Sequence, residues 1–383
     1  MYKLSQTFFL FLLTTNDIVS ENLKILFVVN KFPYESRPYI DNQIAAFLDR
    51  GIDVNVLAFE RSDHETYELA TKYKFKNITF YNKLPENKRA FDIIYCQFPS
   101  MGHKMIQWKK KNKVKGSIIT FFRAGCEFQT IEQEAKKYTS LFEKSMYIFV
   151  VCQAFKDRLI AYGYPEQKII VHHSAINTNN FPYYARTLKD KEIKILTIGR
   201  LHPMKGHSYS IQAIKMLSDL GYNITYNIYG EGKEHNALLK LIKELKLENT
   251  VYLKNYCSHK DVVNLLHNHH IFLLTSCTTQ TGSQEGIPNV LMEAMATGMP
   301  IVSTWHSGIP ELITDKKNGL LVPEYDSQAT AEALLELITH STDWPKLATE
   351  ARKYVLNEHN TKKQTEKVLQ LFYKIKNSKI GEK

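Results

Sequence analysis

The sequence predicts an α/β protein made of two doubly wound units, and three observations carry that expectation. Short apolar runs rich in Ile, Val, Leu and Phe alternate with amphipathic helical stretches along most of the chain, the pattern of parallel sheets covered on both faces. The alternation runs twice, broken by a charged, non-periodic stretch at 183–192. The 383 residues suffice for two domains of ordinary size.

The first unit opens with a buried strand at 23–30. A loop containing Phe32-Pro33 leads to a helix at 39–50, with Ile40, Ile44, Phe47 and Leu48 on one face and Gly51 as its stop. Further strands are expected at 54–59, 92–96, 118–122, 147–151 and 168–171, with a helix at 152–163. The second unit reads as a strand at 193–198, a loop at 199–206, a helix at 207–220, a strand at 224–229 and Gly230-Glu231-Gly232. A helix at 234–245, a strand at 251–253 and a helix at 260–267 follow. Next comes a strand at 271–274, a polar loop at 275–286, a helix at 290–297 and a strand at 301–303. Pro288 suits a first helical position, which needs no N–H; Gly298 and Pro300 end the helix. A turn and short strand at 318–323, a helix at 329–339 and Lys-rich helices from 343 complete the chain. The expected organisation is a leader-like segment at 1–22, a first domain at 23–185, a second at 190–342, and C-terminal helices at 343–383 packing back on the first. The apolar run at 8–13 is short for a signal peptide and far below the ~20 residues of a membrane span.

A net charge of +11 and a pI near 9.1 imply an acidic partner: lipid, nucleic acid or a phosphorylated substrate. No recognisable nucleic-acid motif concentrates that charge. The five cysteines are scattered and odd in number, which argues against a zinc site or a disulfide framework and fits a reducing compartment.

The chemistry concentrates in the second unit. The 290–296 helix is apolar on almost every face, and its one charged residue is Glu293; a carboxylate there is costly unless something hydrogen-bonds it. Glu285 stands just before the helix, among N–H groups that suit an anionic ligand. The plainer alternative is a loop-capping Glu293 and a solvated Glu285. Gly199 ends a strand, and Arg200 and Lys205 flank the loop before a helix N-terminus, a plausible clamp for a diphosphate or a solvated loop with two unrelated charges. Gly230 is either a nucleotide edge or a tight turn.

These residues, together with Gly286-Ile287-Pro288-Asn289-Val290, the 307–313 stretch Ser-Gly-Ile-Pro-Glu-Leu-Ile and Asn318-Gly319, resemble family 4 glycosyltransferases of the GT-B fold, in particular bacterial exopolysaccharide enzymes of the colanic-acid and amylovoran type. The resemblance runs from residue 23 to about 339 and implies two Rossmann-like domains facing each other across a cleft. It implies a retaining transfer from a UDP- or GDP-linked sugar to a hydroxyl acceptor, with no metal and no further cofactor. The acceptor would be a saccharide or lipid-linked saccharide of exopolysaccharide, capsule or lipopolysaccharide synthesis, at the cytoplasmic face of the membrane. By the same resemblance Arg200 and Lys205 hold the diphosphate and Glu285 binds sugar hydroxyls. The backbone from Gly286 through Ile287, Pro288 and Asn289 to Val290 contacts sugar and phosphate, and Glu293 bonds the ribose.

The first unit departs further from the family. Phe121-Phe122-Arg123-Ala124-Gly125 sits where relatives carry Phe-His-Gly or Phe-Arg-Gly, so Arg123 is a candidate at the reaction centre, acting by charge because it cannot serve as a base; the alternative is an ion pair with Glu127. The opening loop reads Ser36-Arg37-Pro38-Tyr39 where the family has Ser-Glu-Thr-Phe, and Ala175 and Asn177 replace a Gly and an Asp. The adjacent His172 and His173 carry no functional expectation. At 104–115 a helical face of Met101, Met105 and Trp108 beside five lysines suits an anionic membrane surface, or a solvated helix end. Other readings are a disaccharide synthase or an epimerase acting on nucleotide sugars, and, from another class, a basic nucleic-acid-binding module.

Overall fold

A computed structural model describes residues 23–378 except 34–37, 63–66, 124, 126–127, 129–134 and 189–191. The leader-like segment, Ser36-Arg37 of the opening loop and Glu127 lie outside the described residues.

The chain folds into two parallel sheets, as the alternation requires. The first contains β1 (Lys24–Phe32), β2 (Asp53–Arg61), β3 (Thr79–Tyr81), β4 (Ala90–Cys96), β5 (Lys115–Phe122), β6 (Tyr147–Val150) and β7 (Ile169–Val171). Its strand order is β3-β2-β1-β4-β5-β6-β7. The second contains β8 (Ile193–Ile198), β9 (Ile224–Tyr229), β10 (Val251–Lys254), β11 (Ile271–Leu274), β12 (Ile301–Thr304) and β13 (Leu320–Val322), in the order β10-β9-β8-β11-β12-β13. Strand β11 is buried throughout and β1 is buried from residue 25 to 29, which is why both read as apolar runs, while β8 has half-buried positions at Lys194 and Ile198.

Helices fill both faces. In the first half they are α1 (Pro38–Leu48), α2 (Glu68–Lys72), α3 (Pro99–Lys110), α4 (Ala135–Lys144) and α5 (Gln153–Ala161). In the second they are α6 (His207–Asp219), α7 (His235–Glu244), α8 (His259–Asn268), α9 (Asn289–Ala296), α10 (Ile309–Leu312) and α11 (Ser327–Thr339). The chain ends in α12 (Trp344–Glu358) and α13 (Thr361–Ser378). Helix α13 returns to the first sheet: the Phe372 ring, fully buried, meets Phe47 at 6.2 Å and Tyr95 at 5.3 Å.

One local expectation is corrected: Pro288 is the N-cap of α9 rather than its first residue, because its ψ of 124° is extended. Strand β3 was not expected; its three residues are only half-buried and make no apolar run. The segment between the halves is anchored at one of its residues. Arg186 is buried and donates from Nη1 to the Thr297 carbonyl (2.6 Å) and from Nη2 to the Leu266 carbonyl (2.6 Å), strapping this segment to the second half.

In the second sheet the order reverses between β8 and β11, the position where open α/β sheets leave a crevice at the carboxyl ends of their strands. The loops leaving those two strands are 199–206 and 275–288, so the topology sets Gly199, Arg200 and Lys205 beside Glu285.

Candidate active site

The first loop is shaped by two short turns. A 3-10 turn at Pro203–Lys205 is capped by the His202 ring, which accepts from the Met204 N–H (3.2 Å), and Gly206 follows in the left-handed region at φ 63°. No other residue fits Gly206, because a Cβ there would lie 1.9 Å from the Thr275 carbonyl oxygen. Behind the loop, buried His207 donates from Nε2 to the Arg200 carbonyl (3.0 Å). Burial pulls the His207 pKa down to about 4, so the ring is neutral.

Lys205 lies along the loop with its chain against Gly199 and brings Nζ within 2.8 Å of Glu285 Oε1. Both side chains are mostly enclosed, 11% and 14% exposed. Burial alone would raise the Glu285 pKa, but the Lys205 ammonium more than offsets that, with Arg200 adding to it, and the net shift is downward. Glu285 is therefore an anion on a partly buried cation, not the solvated carboxylate of the plainer alternative. Among the described residues the exposed Arg200 side chain has no hydrogen-bond or ion-pair partner; its charge acts on the same pair.

Glu293, one turn into α9, is 6% exposed and has neither a hydrogen bond nor an ion pair among the described residues. Burial pushes its pKa up to about 7. It caps no loop. Gly286, Ile287 and Pro288 are buried, while Asn289 and Val290, at the start of α9, are half-buried. Gly286 abuts the first half, where a Cβ would stand 2.4 Å from Val151 Cγ2. Gly230 has a packing reason: its backbone sits so close to Gly199 that a Cβ would meet the Gly199 carbonyl oxygen at 2.0 Å, so it shapes the 199–201 loop from behind.

With this geometry in hand, residues 185–357 match the family described as Glycosyl transferases group 1. The chain is similar to the putative colanic acid biosynthesis glycosyltransferase WcaL of Salmonella typhimurium, 29% identical with 88% of this chain and 96% of the relative covered. It is equally similar to the amylovoran biosynthesis glycosyltransferase AmsK of Erwinia amylovora, at 29% identity and the same two coverages. Its fold is like that of Anabaena Alr3699/HepE, solved in complex with UDP: TM-score 0.76, 17% identity, 92% of this chain and all of that one.

The chain is a glycosyltransferase. It has the GT-B fold expected from the sequence, and its second half carries the group 1 family signature.

In the glycosyltransferase, Arg123 directly follows β5 on the first half, with its carbonyl oxygen 3.6 Å from where a Cβ on Gly286 would stand. Its Nε and Nη2 donate to Gln97 Oε1 (3.0 and 2.7 Å), Nη2 also reaches Gln43 Oε1 (3.3 Å), and the guanidinium lies over the Phe121 ring at 3.9 Å. Tyr39, Gln43, Arg123, His172, His173 and Gln364 line a polar pocket there. His172, for which the sequence suggested nothing, is buried in its wall; burial first, then nearby Arg123, pulls its pKa down to about 3, so it is neutral. Sequence reasoning missed His306 and Glu324 beneath Glu285, and it gave no role to Glu311 of the 307–313 stretch, which bridges the halves. Only the tertiary fold brings these residues to their partners.

The apolar edge expected at 101–108 is not at the surface. Met101 and Met105 are core residues, and Trp108 is half-buried with its ring 6.0 Å from Phe59. The helical stripe was the face that packs inward, and what stays outside is the run of lysines at 109–115. Among the described residues no helix is long and apolar enough to cross a membrane.

Proposed function

We propose that the enzyme transfers a hexosyl group, with retention, from a nucleoside-diphosphate sugar to a hydroxyl of a growing polysaccharide, in exopolysaccharide or related surface-glycan synthesis. The observation that carries this reading is the Lys205–Glu285 pair, 2.8 Å apart at the switch point, with the unpartnered Arg200 charge beside it. Arg200 and Lys205 take the diphosphate. Their charge stabilises the nucleoside diphosphate as the sugar C1–O bond breaks and the leaving oxygen keeps the electron pair. Glu285 accepts hydrogen bonds from sugar hydroxyls, and Glu293 pairs with the ribose, which gives its buried carboxyl a partner. The acceptor oxygen forms the new bond to C1 and passes its proton to the departing diphosphate oxygen. Arg123 and its pocket face this step from the acceptor side.

Several features support the reading without extending it. The relatives named above act in colanic acid and amylovoran biosynthesis, and the similar Anabaena fold was solved with UDP. The lysines at 109–115 would hold the enzyme against anionic lipid at the cytoplasmic face, near a lipid-linked acceptor.

The test is a melting-temperature screen against UDP and GDP, then donor-hydrolysis assays with sugars of the nucleotide that binds. One nucleoside diphosphate should stabilise the protein, by about 2.7 kcal/mol at a hundred times its Kd, and Arg200→Ala should remove most of that gain. No stabilisation by either nucleotide sinks the proposal. Co-sedimentation with vesicles with and without anionic lipid tests the surface reading; equal binding to both removes it.

A further inference from the structure

The loop that carries Glu285 has a support unrelated to Lys205. The Glu285 backbone N–H donates to Nε2 of His306 at 2.9 Å, and Nδ1 of the same ring lies 2.7 Å from Glu324 Oε1. The other carboxylate oxygen of Glu324 accepts the Thr278 N–H at 2.7 Å. His306 is wholly buried.

A backbone N–H only donates, so Nε2 must be the lone-pair nitrogen. The ring hydrogen then sits on Nδ1 and points at Glu324. A protonated ring would set N–H against N–H at Glu285, so the arrangement requires the neutral tautomer. His306 leaves β12 and Glu324 leaves β13, whereas Thr278 and Glu285 lie at opposite ends of the polar loop after β11. One dyad therefore ties both ends of that loop to the sheet. The loop's other anchors include the Cys277 N–H on the Met204 carbonyl (2.9 Å), the Tyr325 hydroxyl on the Thr278 carbonyl, and the Arg158 guanidinium on the Gly282 carbonyl (3.2 Å) and on Gln284 Oε1 (3.3 Å). None of these bonds is made by the backbone of Glu285.

We infer that His306 and Glu324 are positioning residues for Glu285: the dyad fixes the backbone from which the Glu285 carboxylate reaches between Lys205 and the donor sugar. The inference rests on reading Glu285 as a ligand of that sugar. It predicts that loosening the dyad impairs turnover of the sugar while leaving the bare nucleotide's site intact, since the diphosphate is held by Arg200 and Lys205.

The experiment compares His306→Leu, His306→Gln, Glu324→Gln and Glu285→Ala in the full chain. Donor kcat and KM are measured, and the Kd of UDP or GDP, whichever raises the melting temperature. Leu offers the Glu285 N–H nothing. Gln can accept it with its carbonyl and donate its amide to Glu324. Glu324→Gln keeps the volume but places an N–H where the dyad needs an acceptor. Expected are losses in kcat/KM of about tenfold or more in His306→Leu and Glu324→Gln, with nucleotide Kd within about threefold of the parent and His306→Gln restoring most of the activity. Parental turnover in His306→Leu or Glu324→Gln overturns the inference. So do equal losses in the Leu and Gln variants, or nucleotide affinity falling in step with turnover, since both mean packing alone. If His306→Leu does not fold, the near-isosteric Glu324→Gln decides. An active Glu285→Ala overturns the sugar reading and this inference with it; an inactive Glu285→Ala beside active dyad variants overturns this inference alone.

Discussion

Glu293 is a cost the protein carries until something pairs with it. Its pKa stands near 7 instead of 4.5 because of burial. Between those values the folded state holds a proton that the unfolded state has released, so stability falls as pH rises through that window. The difference of about two and a half units corresponds to ~3 kcal/mol above pH 7. Glu293→Gln removes the charge without removing the volume. Its melting temperature should match the parent at pH 4.5 and exceed it increasingly up to pH 8, while donor turnover at pH 8 falls at least tenfold. A parallel pair of melting curves would show that burial is not what raises this group. Arg200 and Lys205, a pair of like motif residues, should separate by the same measurement. Arg200 is exposed and unpartnered, so Arg200→Ala should leave the melting temperature unchanged and cut turnover by orders of magnitude. Lys205→Ala strands the Glu285 carboxylate in a mostly enclosed site, and should cost about 3–5 kcal/mol of stability besides activity.

At the scale of elements, the site is two loops seated on adjacent strand ends, and backbone fit decides whether they seat. Gly206 turns the chain from the Lys205 loop into α6 at φ 63°, under the Thr275 carbonyl of the facing loop. Gly206→Ala adds both a strained φ and a clash, so it should cost more than ~1 kcal/mol and weaken UDP or GDP binding, read by thermal melts and calorimetry. Unchanged nucleotide affinity would mean the Lys205 loop does not depend on that turn. Much of this level was legible in the sequence. Strands β8, β9 and β11 were bounded to the residue: β11 is an unbroken apolar run, β8 and β9 carry β-branched and aromatic residues through their length, and Gly or polar residues follow each. The 101–108 stripe shows the limit: a helix face of Met, Met and Trp reads the same whether it meets a core or a lipid, and here Phe59 and the sheet take it. His306 and Glu324 were invisible for a different reason. Their partners lie 21 and 46 residues away, so no periodicity marks them.

Across the whole molecule, the two halves are joined by a contact whose chemistry is that of a helix cap. Glu311, on α10 of the second half, accepts the Gln153 N–H (2.6 Å) and the Ala154 N–H (3.4 Å) at the start of α5 in the first half. Its other oxygen pairs with His173 Nε2 at 3.1 Å. A carboxylate on exposed helix N–H groups is worth ~0.3–2 kcal/mol, enough to bias the approach of the halves but not to hold a core together. The resemblance to family members pointed to the 307–313 stretch as a motif, yet its reach across the halves could not be read from the sequence, since α5 is 158 residues away. The first half is itself completed from a distance, by Phe372 of α13 on Phe47 and Tyr95, so the chain crosses between the sheets twice and the cap at Glu311 acts between those crossings. Glu311→Ala should therefore leave each half folded while loosening the junction. The groups proposed to hold the donor, Arg200, Lys205, Glu285 and Glu293, all belong to the second half, whereas Arg123 and its pocket belong to the first. Nucleotide affinity should stay near the parent value, transfer to the acceptor should fall about tenfold or more, and solution scattering should give a larger radius of gyration. A variant as compact and as active as the parent would mean that Glu311 caps α5 without governing how the halves meet.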